Sequence, residues 1–308
     1  MPPAPLKVAV IGAGYFGRFH AEKLASRNDA TLVAVVDADA PRAAEIAGKY
    51  GLAPRTDYRD LAGQVDAVTI AAATTAHFAI ARHFLERGVH CFVEKPIATN
   101  VAEARQLVDL AAEHRRVLQV GHIQRVLFNA LGGARAVSAP RLIEAIRVAP
   151  YRTRATDVGV VLDLMIHDID LAFAAFGGEV VSVAATGGRI VSPSEDYCAA
   201  RLGFSGGQVA HLTASRVSPA TERVLRIHGP QGQATLDLQG RSIAVLRRGA
   251  DGALAREDRS APPGDDLASE LGGFLDCVRN GGRPIADGGD GLRALDVAMR
   301  IIDQIGRG

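Results

Sequence analysis

The first third of the chain alternates continuously apolar runs with amphipathic segments of helical period. The apolar runs are LKVAVIG (6–12), TLVAVVD (31–37), VDAVTIAAA (65–73), VHCFVEK (89–95) and VLQVGH (117–122). Apolar runs without alternation are typical of parallel strands that are covered on both faces. Because amphipathic helices separate these runs, we predict a doubly wound α/β domain built on a parallel sheet.

The pattern changes near residue 122. Helical segments near 124–135 and 160–176 flank a longer strand, and from residue 178 strand-like runs alternate with turn signals, among them Gly206-Gly207 and Gly229-Pro230. Residues 251–266 are polar and predict a loop, and helices are predicted at about 267–280 and 288–306. We therefore predict two domains, 1–122 and 123–308, the second built on a mostly antiparallel sheet.

A glycine motif follows the first predicted strand and opens a helix. Gly12-x-Gly14-x-x-Gly17 in this context is typical of a dinucleotide site, where free N–H groups at the helix N-terminus face a pyrophosphate. Asp37 ends the second strand and favours NAD over NADP, because a carboxylate accepts from a ribose diol and repels a 2′-phosphate. The alternatives are that Asp37 only caps the next helix, that nearby Arg42 admits NADP, or that the cofactor is FAD.

A later strand ends in Glu94-Lys95-Pro96, at the sheet edge where such folds bind ligands. The simplest alternative is a strand end followed by a helix cap at Thr99. In VGVVLDLMIHDIDLAF, however, a helix would place Asp163, His167 and Asp170 on one face of an otherwise apolar segment. Buried polar side chains need hydrogen-bond partners. A structural network would supply them, and so would an active site in which a lysine, an aspartate and a histidine serve hydride transfer.

Composition and charge exclude several functional classes of protein. The formal charge is +1 with no basic stripe, which argues against nucleic acid, and no apolar run is long enough to cross a membrane. The start, MPPAPLK, lacks a signal-peptide pattern, so we expect a cytoplasmic protein. Neither the three cysteines nor the nine histidines show metal-ligand spacing, so no metal site is predicted. Lysine occurs at four positions, of which Lys95 is the last.

Together these motifs resemble those of the Gfo/Idh/MocA oxidoreductases, NAD(P)-dependent sugar and cyclitol dehydrogenases, over essentially the whole chain. The resemblance is carried by the glycine motif, by Glu94-Lys95-Pro96, by residues 121–125 (GHIQR) and by the spacing Asp163-x-x-x-His167-Asp168. It implies a Rossmann domain followed by an α/β domain with an open, mostly antiparallel sheet, and special geometry, such as a cis peptide bond, at Lys95-Pro96. The chain departs from the commonest family pattern at Thr74-Thr75-Ala76-His77, where many members have Thr-Pro before the histidine.

The resemblance also implies site residues. Lys95, Asp163 and His167 would be catalytic. The cofactor would be bound by Gly12, Gly14, Tyr15, Phe16, Gly17, Asp37, Ala73, Thr74, His77, Glu94, Lys95 and Pro96. The substrate would be bound by Lys95, Arg125, Tyr151, Arg152, Arg154, Asp163 and His167.

The stretch APYRTRATDVGVVLDLMIHDIDL is similar to the branch of UDP-N-acetylglucosamine 3-dehydrogenases, which oxidise the C3 hydroxyl to a ketone in lipid A precursor synthesis. Tyr151, Arg152, Arg154 and Arg216 would suit a diphosphate, unless the arginines are only solvated surface charges. The alternatives are a dehydrogenase of a free sugar or cyclitol such as myo-inositol, and a non-catalytic NAD-binding regulatory protein. A homo-oligomer, dimer or tetramer, is expected because an open sheet leaves one face to cover.

Overall fold

A computed structural model describes residues 4–152 and 158–306 of the protein. The chain divides into two compact units. Unit 1 comprises Met1–Ile123 and Asp265–Leu292, and unit 2 comprises Gln124–Gly264 and Arg293–Gly308. No helix in the described residues has the length and hydropathy needed to span a membrane.

The secondary structure alternates in unit 1 and is strand-rich in unit 2. The strands are β1 Leu6–Ile11, β2 Ala30–Val36, β3 Ala67–Ile70, β4 His90–Glu94, β5 Leu118–Gly121, β6 Leu142–Val148, β7 Val180–Gly188, β8 Tyr197–Phe204, β9 Val209–Ser215, β10 Glu222–Gly229, β11 Gly232–Asp237, β12 Ser242–Arg248 and β13 Leu254–Ser260. The helices are α1 Tyr15–Ala25, α2 Ala40–Gly48, α3 Thr74–Leu85, α4 Val101–Glu113, α5 Gln124–Ala130, α6 Ile166–Phe176, α7 Asp266–Asn280 and α8 Gly288–Gly306.

Unit 1 contains the predicted parallel sheet, in the order β2-β1-β3-β4-β5. The chain moves from β1 to β2 in one direction and from β3 to β5 in the other, so right-handed crossovers place α1 on one face and α3 and α4 on the opposite face. The order reverses between β1 and β3. Sheets of this kind bind ligands at the carboxyl ends of the strands at such a reversal.

Helix α7 packs in unit 1, although we assigned everything after residue 122 to the second domain. Its Leu271, Phe274 and Leu275 are fully buried in the same core as Leu24 of α1, and the rings of Phe274 and Phe92 lie 5.8 Å apart. An apolar stripe on a helix must be buried against some element, but the stripe itself does not identify that element. The range Asp265–Leu292 therefore returns to unit 1.

Unit 2 is built on an eight-stranded sheet in the order β13-β12-β11-β10-β6-β9-β8-β7. In the described chain β6 and β9 run parallel, and the other neighbouring strands are antiparallel. Alternate residues, such as Ile143 and Ala145 of β6, are buried in a core shared with α5, α6 and α8. The alternation buries one face of the sheet, as expected for an antiparallel sheet with helices on one side.

The fold class predicted from the sequence is confirmed, as are the hairpins at Gly206-Gly207 and Gly229-Pro230. The loop predicted for 251–266 is wrong in part, because β13 occupies Leu254–Ser260 and pairs with β12. Every residue of β13 is exposed, so its sequence lacks the alternation of apolar and polar residues that would have predicted a strand. Its charged side chains suit an edge strand, which must not attract further strands.

Candidate active site

A cleft of about 710 Å³ lies in unit 1 at the carboxyl ends of β1, β2 and β3. Gly12 and Gly14 line it on one side and Ala73 on another. Gly12 has φ +97°, and a Cβ there would lie 2.6 Å from backbone atoms of Ala71 and Ala72. A Cβ on Gly17 would lie 1.7 Å from the carbonyl oxygen of Gly12. The motif glycines thus allow the tight turn and the close packing of α1 on β1.

The N-terminus of α1 lies directly after this glycine loop. Gly14 is the N-cap residue, no side chain in the described chain caps the helix, and its first turn carries no acidic residue. The first N–H groups of a helix have no partner within the helix and attract an anion. The geometry fits the pyrophosphate of a dinucleotide. Tyr15 and Phe16, both about half exposed, occupy the first turn of this helix.

Asp37 lies in the cleft just beyond β2, with its side chain 10% exposed. Its carboxylate accepts hydrogen bonds from the backbone N–H of Ala13 (2.8 Å) and of Asp39 (2.9 Å). Nη1 of Arg42 is 3.4 Å from Oδ2 of Asp37, and Nη2 of Arg42 bonds to Asp39, whose side chain is the N-cap of α2. Asp37 therefore supports the glycine loop and is not the cap of α2.

Sequence reasoning missed one wall of the cleft, Thr56–Arg59. This segment is held beside β2 by a backbone bridge between Val36 and Arg55, and the N–H of Asp37 donates to the carbonyl of Arg55 at 3.2 Å. Arg59 lies over the ring of Tyr58, 4.9 Å from its centroid. No local sequence pattern predicts this long-range backbone bridge.

Glu94, Lys95 and Pro96 stand at the carboxyl end of β4, and the Lys95-Pro96 peptide is cis, as the resemblance implied. Oε1 of Glu94 is 3.1 Å from Nε2 of His20 on α1, and Oε2 accepts from the N–H of Lys95 at 3.3 Å. Burial would raise the pKa of Glu94, but the hydrogen bond with His20 and the charges of His20 and Lys95 outweigh it, so the pKa lies below its usual value. Glu94 thus braces the backbone of Lys95.

Two of the predicted cofactor contacts, Glu94 and His77, have hydrogen-bond partners within the protein. The side chain of His77 is buried, with Nδ1 2.9 Å from the carbonyl of Pro96 and Nε2 3.0 Å from that of Ala72. Burial lowers its pKa. A neutral ring donates one of these hydrogen bonds, and the contacts tie α3 to the loop after the cis peptide. Thr74 begins α3, and the N-cap of α4 is Asn100, one residue beyond the predicted Thr99.

In unit 2 the helix that carries His167 begins with a π turn, Val161–Met165, which contains Asp163. The predicted α-helical spacing therefore holds from Ile166 onward but not at Asp163. His167 is 9% exposed, and Asp163 is half-buried. The start of the helix is held by Glu195, whose carbonyl accepts from Val160 and whose carboxylate accepts from Val161.

Three arginines that could have bound substrate are paired with buried carboxylates. Arg125 forms a bidentate pair with Asp170, and Arg147 with Asp168 at 2.7 and 2.9 Å. Arg216 lies 3.7 Å from the buried Asp196 and donates to the carbonyl of Val158. Arg125 was predicted to bind substrate, and Arg216 was a diphosphate candidate. In the structure both guanidinium groups stabilise the fold around the helix.

The remaining predicted substrate residues lie on the segment after β6. Tyr151 and Arg152 are exposed, and Arg154 lies outside the described residues. Arg223 of β10 was missed. Burial lowers its pKa, helped by the charges of Arg147 and Arg152, while Asp168 and Asp163 act in the opposite direction. Arg223 is two residues before Leu225 and four before Ile227, so its side chain lies on the same, helix-covered face of the sheet. An arginine in this alternating apolar set could have been recognised from the sequence.

Comparison with known proteins shows where this architecture belongs. Residues 6–122 match the family described as the oxidoreductase family with an NAD-binding Rossmann fold, and residues 130–235 match the GFO/IDH/MocA C-terminal domain. The UDP-N-acetylglucosamine 3-dehydrogenase of Acidithiobacillus ferrooxidans is 36% identical over 303 residues, which cover 96% of each chain. The chain belongs to the Gfo/Idh/MocA oxidoreductase family.

Membership of this family makes the protein an NAD-binding oxidoreductase of the sugar dehydrogenase type. A solved structure of the Acidithiobacillus ferrooxidans enzyme matches with a TM-score of 0.92 and 35% identity over 99% of each chain. The inositol 2-dehydrogenase of Rhizobium meliloti is 28% identical over 326 residues, covering 96% of this chain and 97% of that one. The uncapped α1 N-terminus, the cleft and Asp37 fit NAD.

We expect the Asp37→Ser variant to lose selectivity for NADH over NADPH by about ten- to a hundredfold, because one charged hydrogen bond contributes about 1.5–3 kcal/mol. The substitution removes the carboxylate that repels a 2′-phosphate and releases Arg42 from it. Binding of both reduced nucleotides, followed by their fluorescence, checks this without a substrate. The control is Asp39→Ser, which makes the same charge change beside the same arginine and keeps a capping residue on α2. Equal shifts in both variants would contradict the role of Asp37.

Proposed function

We propose that the protein oxidises a secondary hydroxyl of a nucleotide sugar to a ketone with NAD, and that the C3 hydroxyl of UDP-N-acetylglucosamine is the first candidate. The observation that carries this proposal is the likeness to a UDP-N-acetylglucosamine 3-dehydrogenase over 96% of both chains. A role in lipid A precursor synthesis is part of the same proposal.

The chemistry divides between the cofactor and the protein. Bound NAD supplies the hydride acceptor at C4 of its nicotinamide. Loss of a hydride and a hydroxyl proton converts the alcohol to a ketone, so the protein must accept one proton at the hydroxyl oxygen. In this proposal Lys95 or His167 takes that proton, the other binds the same oxygen, and Asp163 orients His167 or the lysine.

Features within each unit support these roles. Lys95 is half-buried at the carboxyl end of β4, and Glu94 fixes its backbone N–H. His167 precedes Asp168, whose carboxylate is held by two hydrogen bonds from Arg147, so its helix is anchored to β6. A fixed backbone lowers the reorganisation needed when a proton is transferred.

The second candidate is a dehydrogenase of a free cyclitol, favoured by the likeness to inositol 2-dehydrogenases over nearly the whole chain. The two candidates differ in the need for an anionic substrate. They are separated by NADH formation on mixing the protein and NAD with UDP-N-acetylglucosamine, N-acetylglucosamine or myo-inositol. We expect a signal with the nucleotide sugar alone. A signal with myo-inositol alone would contradict the proposal.

We also propose that a second copy of the chain covers the outer face of the eight-stranded sheet. That face carries half-buried apolar residues, including Ile146 and Val148 of β6 and Val224 of β10. Light scattering of the purified protein would give the mass of a dimer or tetramer, whereas the mass of one chain would contradict the proposal.

A further inference from the structure

Arg223 stands near the start of β10 in unit 2. Arg223 lies directly opposite Arg147 of β6 in the antiparallel register. Side chains directly opposite each other on antiparallel strands lie on the same face of the sheet. The guanidinium of Arg147 binds Asp168 of α6, so this is the face that the helices cover. Arg223 therefore points to the side of the sheet that carries His167 and Asp163.

The two neighbouring arginines differ in charge compensation. Arg147 is 3% exposed and its charge is matched by Asp168. Arg223 is half-buried, and within residues 4–152 and 158–306 no hydrogen bond or ion pair joins its guanidinium to another group. Arg152, on the segment that leaves β6 at the same end of the sheet, likewise has no such partner in the described chain. Among the described residues, this end of unit 2 therefore places two guanidinium groups that have no hydrogen bond or ion pair of their own.

Like charges repel each other, and burial makes the charge of Arg223 less favourable. Burial and the charges of Arg147 and Arg152 lower the pKa of Arg223, although Asp168 and Asp163 partly offset them. An anion placed between Arg223 and Arg152 would relieve this repulsion. Guanidinium groups bind phosphate oxygens through paired hydrogen bonds, so a phosphate or diphosphate is the anion that matches them best.

We propose that Arg223, together with Arg152, binds the diphosphate of the nucleotide-sugar substrate. This assignment rests on the proposed function, because a neutral sugar or cyclitol offers these arginines no anion. Arg223 replaces Arg216 as a diphosphate candidate, because Arg216 is paired with Asp196, just as Arg125, which was predicted to bind substrate, is paired with Asp170.

The test compares Arg223→Met with Arg226→Met. Arg226 lies three residues along the same strand, on the opposite face, across from Glu144. For Arg223→Met we expect the KM for UDP-N-acetylglucosamine and the inhibition constant of UDP to rise about ten- to a hundredfold, with kcat changed less than threefold. Arg226→Met should leave both constants within about twofold of the wild type, because Arg226 lies on the face of the sheet opposite to Arg223 and His167.

The thermal unfolding temperature without ligand separates a binding role from a structural one. Replacing an arginine that stabilises the fold would lower this temperature. Arg223→Met should unfold at the same temperature as the wild type or higher, because the repulsion from Arg147 and Arg152 is removed. A lower unfolding temperature with unchanged UDP inhibition would overturn the assignment. So would an equal loss of affinity for N-acetylglucosamine and for its UDP derivative, which would place Arg223 on the sugar.

Failure of the proposed function gives a different result. If the wild-type protein is not inhibited by UDP yet oxidises myo-inositol, both the nucleotide-sugar function and the diphosphate site are overturned. If the wild-type protein oxidises UDP-N-acetylglucosamine and Arg223→Met retains the wild-type inhibition constant for UDP, the function stands and only the role of Arg223 is overturned.

Discussion

Replacing Lys95 with methionine is expected to lower kcat by about 10²–10⁴-fold, the usual contribution of a positioned proton-transfer group. Methionine keeps most of the volume of the side chain and removes the amine. The backbone N–H of residue 95 can still donate to Glu94, and Glu94 keeps its contact with His20. Binding of NADH should therefore stay within about threefold of the wild type. The measurement is NADH formation at saturating substrate, with the nucleotide titrated separately.

The matched control for Lys95 is Lys49→Met. Lys49 is 55% exposed and pairs with Glu45 on the surface of α2, so removal of its charge should leave kcat within about twofold. A Lys95→Met protein with the turnover of the Lys49→Met protein would contradict a catalytic role for Lys95. A large loss of NADH affinity in Lys95→Met would instead assign the lysine to cofactor binding.

The His167→Asn variant should show a loss of similar size, because its ring is the other candidate for the hydroxyl proton. The pH dependence of kcat/KM separates the two groups, since it reports the acid and base of the free enzyme. The variant that lacks the base should lose one limb of the profile, and the other variant should retain it. Undiminished turnover in His167→Asn would remove His167 from the mechanism.

The elements of the fold that could be predicted from the sequence are those whose signals are local. The five apolar strands and the glycine motif of unit 1 follow from continuous burial and from a turn that only glycine permits. The helix from Asp266 to Asn280 was predicted within a residue at its start, where Asp265 caps it. Strand β13 was missed because its stability comes from pairing with β12 and leaves no trace in its own apolar pattern.

Side-chain partners were less predictable because they are distant in sequence. Arg125 and Asp170 are 45 residues apart, and nothing near Arg125 indicates that its charge is used internally. The alternation of buried and exposed positions along a strand could have identified two of these arginines. Arg147 stands in step with the buried Ile143 and Ala145, and Arg223 with Leu225 and Ile227. An arginine at a buried parity must meet a carboxylate or a ligand, so each of these positions predicts a partner even before its identity is known.

The pair Arg147–Asp168 leads to the second large prediction. Both side chains are 4% exposed and are joined by two hydrogen bonds. In Arg147→Met the carboxylate of Asp168 stays buried without its cation, and removal of one partner of a buried pair lowers the free energy of unfolding by about 3–5 kcal/mol. Whole domains are stable by about 5–15 kcal/mol, so the loss is a large fraction. Urea unfolding followed by circular dichroism measures it without screening the charges.

The control on the same sheet is Arg247→Met. Arg247 pairs with Glu257 at 3.5 Å, but both side chains are more than half exposed, so about 1 kcal/mol or less should be lost. If Arg147→Met loses no more than this control, Asp168 does not depend on its arginine.

A second substitution distinguishes an uncompensated charge from lost packing. In the double variant Arg147→Met, Asp168→Leu neither charge of this pair remains, and hydrophobic replacement of a buried ion pair is often neutral. We therefore expect most of the lost stability to return, although packing around Gln124, which Arg147 also contacts, would still be altered. A double variant as unstable as Arg147→Met would show that the volume and shape of the arginine, and not its charge, hold the helix that carries His167 against β6.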